Sequence, residues 1–179
     1  TYAFHPNVKA QWLANSMLTK ESSDIIINEI GKYFYKERPQ FFRLHIGGDF
    51  LDQRDLDIWT YIARHPHAPR ILAFTKMFDL DYEYVPSNMK IIWSIFPDTD
   101  FKTVPEGIKA YCIFPDSGTF HIPYPSDKQE DINQAIPCSG YCNECMLCWN
   151  LTHDNVKFKL HNGFVKSYEK RLEKNELRK

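Results

Sequence analysis

The stretch Phe41-Phe42-Arg43-Leu44-His45-Ile46, running into Gly47-Gly48-Asp49, carries the reading of the fold. A short apolar run bounded by a glycine pair has the length and composition of a buried strand. Upstream, Ser22-Ser23-Asp24 forms an N-cap cluster, and Ile26, Ile27, Ile30, Tyr33 and Phe34 follow at helical spacing until Pro39 closes the helix. Downstream, Asp52 to Arg64 reads as an amphipathic helix with Leu56, Trp59, Ile62 and Ala63 inward and His65-Pro66 as its stop.

Further out, Arg70–Thr75 reads as a second strand, and Asp79–Tyr84 as a short helical turn. Met89–Ile95 makes a third strand and Ile108–Phe114 a fourth. Strands alternating with helices at this spacing predict right-handed βα units, hence an α/β fold with a mostly parallel sheet of about four strands. Ligand sites of such sheets gather outside the carboxyl ends of the strands, so Gly47-Gly48-Asp49, Thr75-Lys76 and Ser94 are expected on one edge. Before Leu18 no clean period exists, although Val8, Trp12, Leu13 and Met17 share one helical face.

From Asp116 to Asn155 the character changes, with frequent Pro, Gly, Ser and Asn and no regular period. This reads as a loop-built region, closed by an alternating strand Val156–Leu160. A turn at His161-Asn162-Gly163 leads into a terminal helix of mixed charge ending at Lys179. The expected organisation is a sheet domain over 1–115 and a cysteine-rich region over 116–179, packed as one compact unit.

The 179 residues suit one ordinary domain, and an apolar fraction of 43% is enough for a core. The formal charge of −1 gives no global field toward nucleic acid or an anionic membrane, so nucleic acid is an unlikely partner. No apolar run approaches the roughly 20 residues of a membrane helix. The chain opens at Thr1-Tyr2-Ala3 without a Met, and the expectation is a fragment whose upstream residues lie outside this numbering.

Four of the five cysteines fall together in Cys138-Ser-Gly-Tyr-Cys142-Asn-Glu-Cys145-Met-Leu-Cys148, spaced C-x3-C-x2-C-x2-C. Thiolates so close in sequence converge on one small centre because the loop wraps around it. Structural zinc also takes four thiolates, but usually as two C-x2-C knuckles with a longer spacer. One unbroken run favours a [4Fe-4S] cluster, with zinc as the alternative. Gly140 and the intervening backbone could supply N–H groups to the sulfurs, while Met146, Leu147 and Trp149 could shield one side or simply pack. The thiolates argue for a reducing, cytoplasmic setting. Cys112, inside an apolar strand, reads as a structural hydrophobe.

Gly47 and Gly48 allow a close backbone approach, and Asp49 either holds a cationic ligand group or caps the next helix, with the cap favoured. His45 reads as a packing residue and His161 as a turn residue; His65 and His67 lack partners at ligand spacing.

Two resemblances follow from these residues. The stretch from Phe42 to Leu51, with Trp59, Ala73-Phe74-Thr75-Lys76, Cys142 to Trp149 and Val156 to Gly163, resembles the phage "gene product eighty-eight" family. That resemblance implies a viral or mobile-element protein, located in the host cytoplasm. The family pattern closes in His-Gly, whereas Asn162 separates His161 from Gly163 here. A weaker similarity is to radical S-adenosylmethionine enzymes: Cys138, Cys142 and Cys145 reproduce their C-x3-C-x2-C spacing. Gly47-Gly48-Asp49 looks like their Gly-Gly-Glu strand end, which receives the cofactor's amino group. In those enzymes the cysteines precede the Gly-Gly strand, and a fourth ligand such as Cys148 would close the iron that must stay open.

The leading expectation is a viral iron–sulfur protein for electron transfer or redox sensing, meeting a redox or host protein partner. The alternatives are an enzyme using S-adenosylmethionine at the same cluster, and a zinc-stabilised interaction module.

Overall fold

A computed structural model describes residues 6–45, 48–113 and 124–159. Six parallel strands form one sheet in the order β1-β2-β3-β4-β6-β5. The strands are β1 (Phe41–Arg43), β2 (Arg70–Thr75), β3 (Met89–Ile95), β4 (Lys109–Ile113), β5 (Ile136–Pro137) and β6 (Val156–Lys159). The expected mainly parallel α/β sheet is therefore present, and the cysteine-rich half of the chain contributes β5 and β6 to it.

β1 is shorter than its apolar run. Leu44 still donates its N–H to the Leu72 carbonyl at 2.8 Å, but His45 takes a left-handed backbone (φ 48) that ends the pairing. From β1 the register runs Arg43↔Leu72↔Lys90, placing these three in one row across the sheet.

Side chains alternate across the sheet, so the two faces have different covers. On one face Ile71, Ala73 and Met89 pack with Leu56, Ile58, Ile62 and Phe34. Those residues come from α2 (Ser23–Glu37) and α3 (Gln53–Ala63). Farther along the sheet, Trp93, Ile95 and Tyr111 pack with Ile132 and Ala135, at α4 (Gln129–Gln134). On the opposite face Leu72, Ile92, Ala110 and Val156 pack with Trp149 and Leu151, and Cys142, Met146 and Cys148 lie against that cluster. The cysteine segment is thus a cover of the sheet.

Several expectations need correction. The N-terminal segment is a helix, α1 (Pro6–Glu21), although its apolar residues make no stripe. Leu13 and Met17, two residues of the helical face read from the sequence, are exposed. Asp79–Tyr84 forms turns without a helix, with Gln53 of α3 bonded through its side chain to the Asp81 backbone at both ends. The region 116–155 is not a plain loop: among its described residues are α4, β5, α5 (Cys142–Cys145) and α6 (Leu147–Asn150). Elements of two to six residues are too short to show a hydrophobic period. Gly47, His161, Gly163 and the terminal helix lie outside the described residues.

Candidate metal centre

The segment carrying the four thiols is fixed at both ends. At its start, Ile136 donates to the Asn155 carbonyl at 2.9 Å and Cys138 to the Lys157 carbonyl at 2.7 Å, which anchors the first cysteine on β6. Gly140 then turns with φ 81, in the left-handed region that favours glycine, and its N–H lies 3.4 Å from Cys138 Sγ. One helical turn, α5, carries Cys142 and Cys145, and Cys145 donates to the Tyr141 carbonyl at 2.9 Å. Met146 is left-handed (φ 47), donates to the Cys142 carbonyl at 3.1 Å and separates α5 from α6.

At the far end two cations from the sheet hold α6. Arg70 donates to the Trp149 carbonyl at 2.5 Å and to Asn150 Oδ1 at 3.0 Å. Lys90 donates to the same Trp149 carbonyl at 2.9 Å and also to the Leu151 carbonyl. These bonds satisfy carbonyls that a helix end leaves without partners. Burial holds Lys90 below the usual lysine range; Arg70 adds to that, and Cys148 opposes it.

The result is a hollow of about 290 Å³, part of it open to solvent, lined by all four thiol residues. Met146, Leu147, Trp149 and Val156 form its apolar wall. Cys138 and Cys145 are exposed, while Cys142 and Cys148 are half-buried. Burial first, and then the other three cysteines, push the Cys148 thiol up to about 11, with Arg43 pulling the other way. Among the described residues, no group of three or more His, Cys, Asp or Glu side chains is arranged to hold a metal ion.

Arg43, the last residue of β1, borders this site. Its Nη1 lies 3.8 Å from Cys142 Sγ, and its guanidinium carbon is 4.8 Å from the centre of the Phe74 ring. Arg43 Nε and Trp149 Nε1 are buried donors without a hydrogen-bond partner among the described residues. An all-thiol donor set beside a cation and two unsatisfied N–H groups suits an anionic, sulfur-ligated group such as an iron–sulfur cluster. The same thiols suit zinc in their chemistry. Cys112 does not line the hollow; it is buried in β4, and burial raises its thiol far above the usual range.

The second predicted site is at the strand ends. Gly48 is exposed, and Asp49 is half-buried. Asp49 is not the helix cap that was expected. Asp52 caps α3 by accepting from the Asp55 N–H at 3.0 Å. Asp49 instead accepts from the Thr75 hydroxyl at 2.5 Å, the Lys76 N–H at 2.8 Å and its neighbour's Phe50 N–H at 2.9 Å. Asp49, Thr75 and Lys76 thus do share one edge, as the strand rule predicts. The carboxylate there ties the segment after β1 to the end of β2.

His45 and Asp55 form a neighbouring pair, with Nε2 and Oδ2 3.8 Å apart. Burial lowers the histidine, against Asp55 and Asp49, which raise it. Burial raises the Asp55 carboxyl, against the Leu51 N–H and His45, which lower it. Sequence reasoning assigned no role to Arg43, Arg70, Lys90 or Asp55. A signal was present for three of them: Arg43, Arg70 and Lys90 are charged residues within or opening apolar strands, where a charge needs a partner.

Among the described residues, no helix is long and apolar enough to cross a membrane. No curated protein and no solved structure matches the chain. The Gene product 88 family model matches residues 1–151, a span that includes β1 to β5 and all four cysteines of the hollow. The chain belongs to the Gene product 88 family.

Proposed function

We propose that this is a viral iron–sulfur protein in which Cys138, Cys142, Cys145 and Cys148 hold one [4Fe-4S] cluster for electron transfer or redox sensing. The observation that carries this reading is the shared hollow: four thiols from one short segment line a single space beside a half-buried cation. A cluster bound there would take up and release one electron at a time. The chain's own part is to fix the thiols on β6 and α6, keep water from one side with Met146, Leu147 and Trp149, and offer positive charge from Arg43. The run C-x3-C-x2-C-x2-C favours a cubane over zinc for the same donors.

The exposed side carries Cys138, Cys145 and the exposed Tyr141, and a redox or host protein partner would approach there, in a reducing cytoplasm. An enzyme using S-adenosylmethionine is less well supported. That chemistry asks for a free carboxylate at the strand end, and both Asp49 oxygens already accept from the protein. It also asks for an open iron, which Cys148 would close.

Anaerobic purification with metal and sulfide analysis tests the reading. The expected outcome is a brown protein with iron and acid-labile sulfide in equal amounts. A colourless protein carrying stoichiometric zinc would exclude the cluster and favour an interaction module.

A further inference from the structure

We infer that Arg43 is the charge-compensating residue of the cysteine site and raises the reduction potential of the cluster held there. The inference rests on the iron–sulfur reading above. Arg43 stands on the same face as Leu72, Phe74 and Lys90, and its Nη1 is 3.8 Å from Cys142 Sγ. The Phe74 ring holds the guanidinium from the other side, 4.8 Å away, as a cation–π contact. Among the described residues, no Asp or Glu forms an ion pair with Arg43, and its buried Nε has no acceptor.

An arginine cannot shed its proton to escape this position. A cation packed on an apolar wall without a carboxylate is unfavourable unless a negative group faces it. The thiolates supply that group. Among the described residues, nothing else on this face does.

The consequence is electrostatic. One-electron reduction makes a thiolate-ligated cluster one unit more negative, with the electron taken from a one-electron reductant and no bond formed or broken. A fixed positive charge a few ångströms away therefore stabilises the reduced form more than the oxidised form. The half-buried setting screens that interaction less than bulk water would. Arg43 is a positioning and tuning residue, because its atoms reach a ligand sulfur and not the electron donor.

The test uses the full chain, reconstituted anaerobically with iron and sulfide, as wild type, Arg43→Met and Arg43→Lys. Iron content, circular dichroism and a potentiometric titration followed by electron paramagnetic resonance are read on each. In Arg43→Met, at the wild-type midpoint, the reduced-to-oxidised ratio should fall about tenfold, which for one electron is a shift of about 59 mV downward. Arg43→Lys, which keeps the charge, should recover most of that shift. A methionine variant that takes up no iron beside a lysine variant that does would also support the inference. Three results overturn it: an unchanged midpoint in Arg43→Met, an equal shift in both variants, or loss of iron from both, which would make Arg43 a packing residue. A wild type without iron removes the cluster reading itself, and the inference with it.

Discussion

The Asp49 carboxylate and the Thr75 hydroxyl meet at 2.5 Å, joining the segment after β1 to the last residue of β2. Thr75 is fully buried, and its Oγ1 also accepts from the Met77 N–H at 3.0 Å. The pair is therefore a junction between two strand ends, with every polar atom in use. Asp49→Asn places an amide N–H₂ where three donors converge, and it should destabilise the protein by roughly 1–3 kcal/mol. Asp52→Asn should change stability by only a few tenths, because asparagine caps a helix about as well as aspartate. Urea melts of both variants check the contrast, and equal effects would remove the junction role.

His45 and Asp55 give opposite pH dependences. Burial sets His45 below 6.5 in the folded state, so as pH falls below 6.5 the unfolded chain takes up the proton first and stability is lost. Burial sets Asp55 above 3.8, so the folded state keeps that proton longer, and stability falls as pH rises from 3.8 through the folded value. His45→Gln should flatten the loss on acidification from 6.5, and Asp55→Asn the loss on raising pH from 3.8. Urea midpoints across this range provide the measurement. Slopes identical to wild type in both variants would show that neither group titrates as its burial requires.

Lys90 reaches from β3 to the Trp149 and Leu151 carbonyls, across the sheet from its own strand neighbours. Lys90→Met leaves the Leu151 carbonyl without this donor, which should loosen α6 by roughly 1–3 kcal/mol. Amide hydrogen exchange over residues 147–150 should speed up, while amides of α3 on the other face keep their protection. Uniform acceleration of both would mean global destabilisation and refute a local clamp.

Gly140 sits at φ 81, and among the described residues beyond its two chain neighbours no atom lies within 4 Å of the place an alanine Cβ would occupy, so Gly140→Ala meets no clash there. Its cost is backbone strain alone, about 1–2 kcal/mol. Thermal melts of the metal-free chain should register that loss. A larger effect would point to a contact that the turn does not show.

Cys148 should be the slowest of the cysteine-site thiols to alkylate in the metal-free protein. Its thiol is pushed up to about 11, chiefly by burial and then by its neighbouring cysteines, whereas Cys138 and Cys145 are exposed. Timed labelling with iodoacetamide and peptide mass analysis will rank them. In the iron-loaded protein, Cys148→Ser should disturb the spectrum about as strongly as Cys142→Ser. An unchanged spectrum in Cys148→Ser would argue for three ligands and reopen the enzyme reading.

The α/β character and the run of thiols were legible in the sequence, because both are local. β2 and β3 end where their apolar runs end, and α3 starts just after Asp52 and stops before His65-Pro66. The spacing of Cys138 to Cys148 predicted that the four thiols converge, and they line a single hollow.

What the tertiary structure decided is everything that depends on distant segments meeting. The sequence favoured Asp49 as the helix cap, but Thr75 and Lys76 occupy its carboxylate and Asp52 caps α3 instead. β5 is too short to announce itself and exists because β6 lies beside it. Arg43 shows only as a charge in an apolar strand. Its partner, Cys142, lies ninety-nine residues away and is set beside it by the packing of the cysteine segment on one face of the sheet. Periodicity reports which residues must be buried; it carries no information about which distant polar group each will find there, because that choice is made by the packing of whole elements.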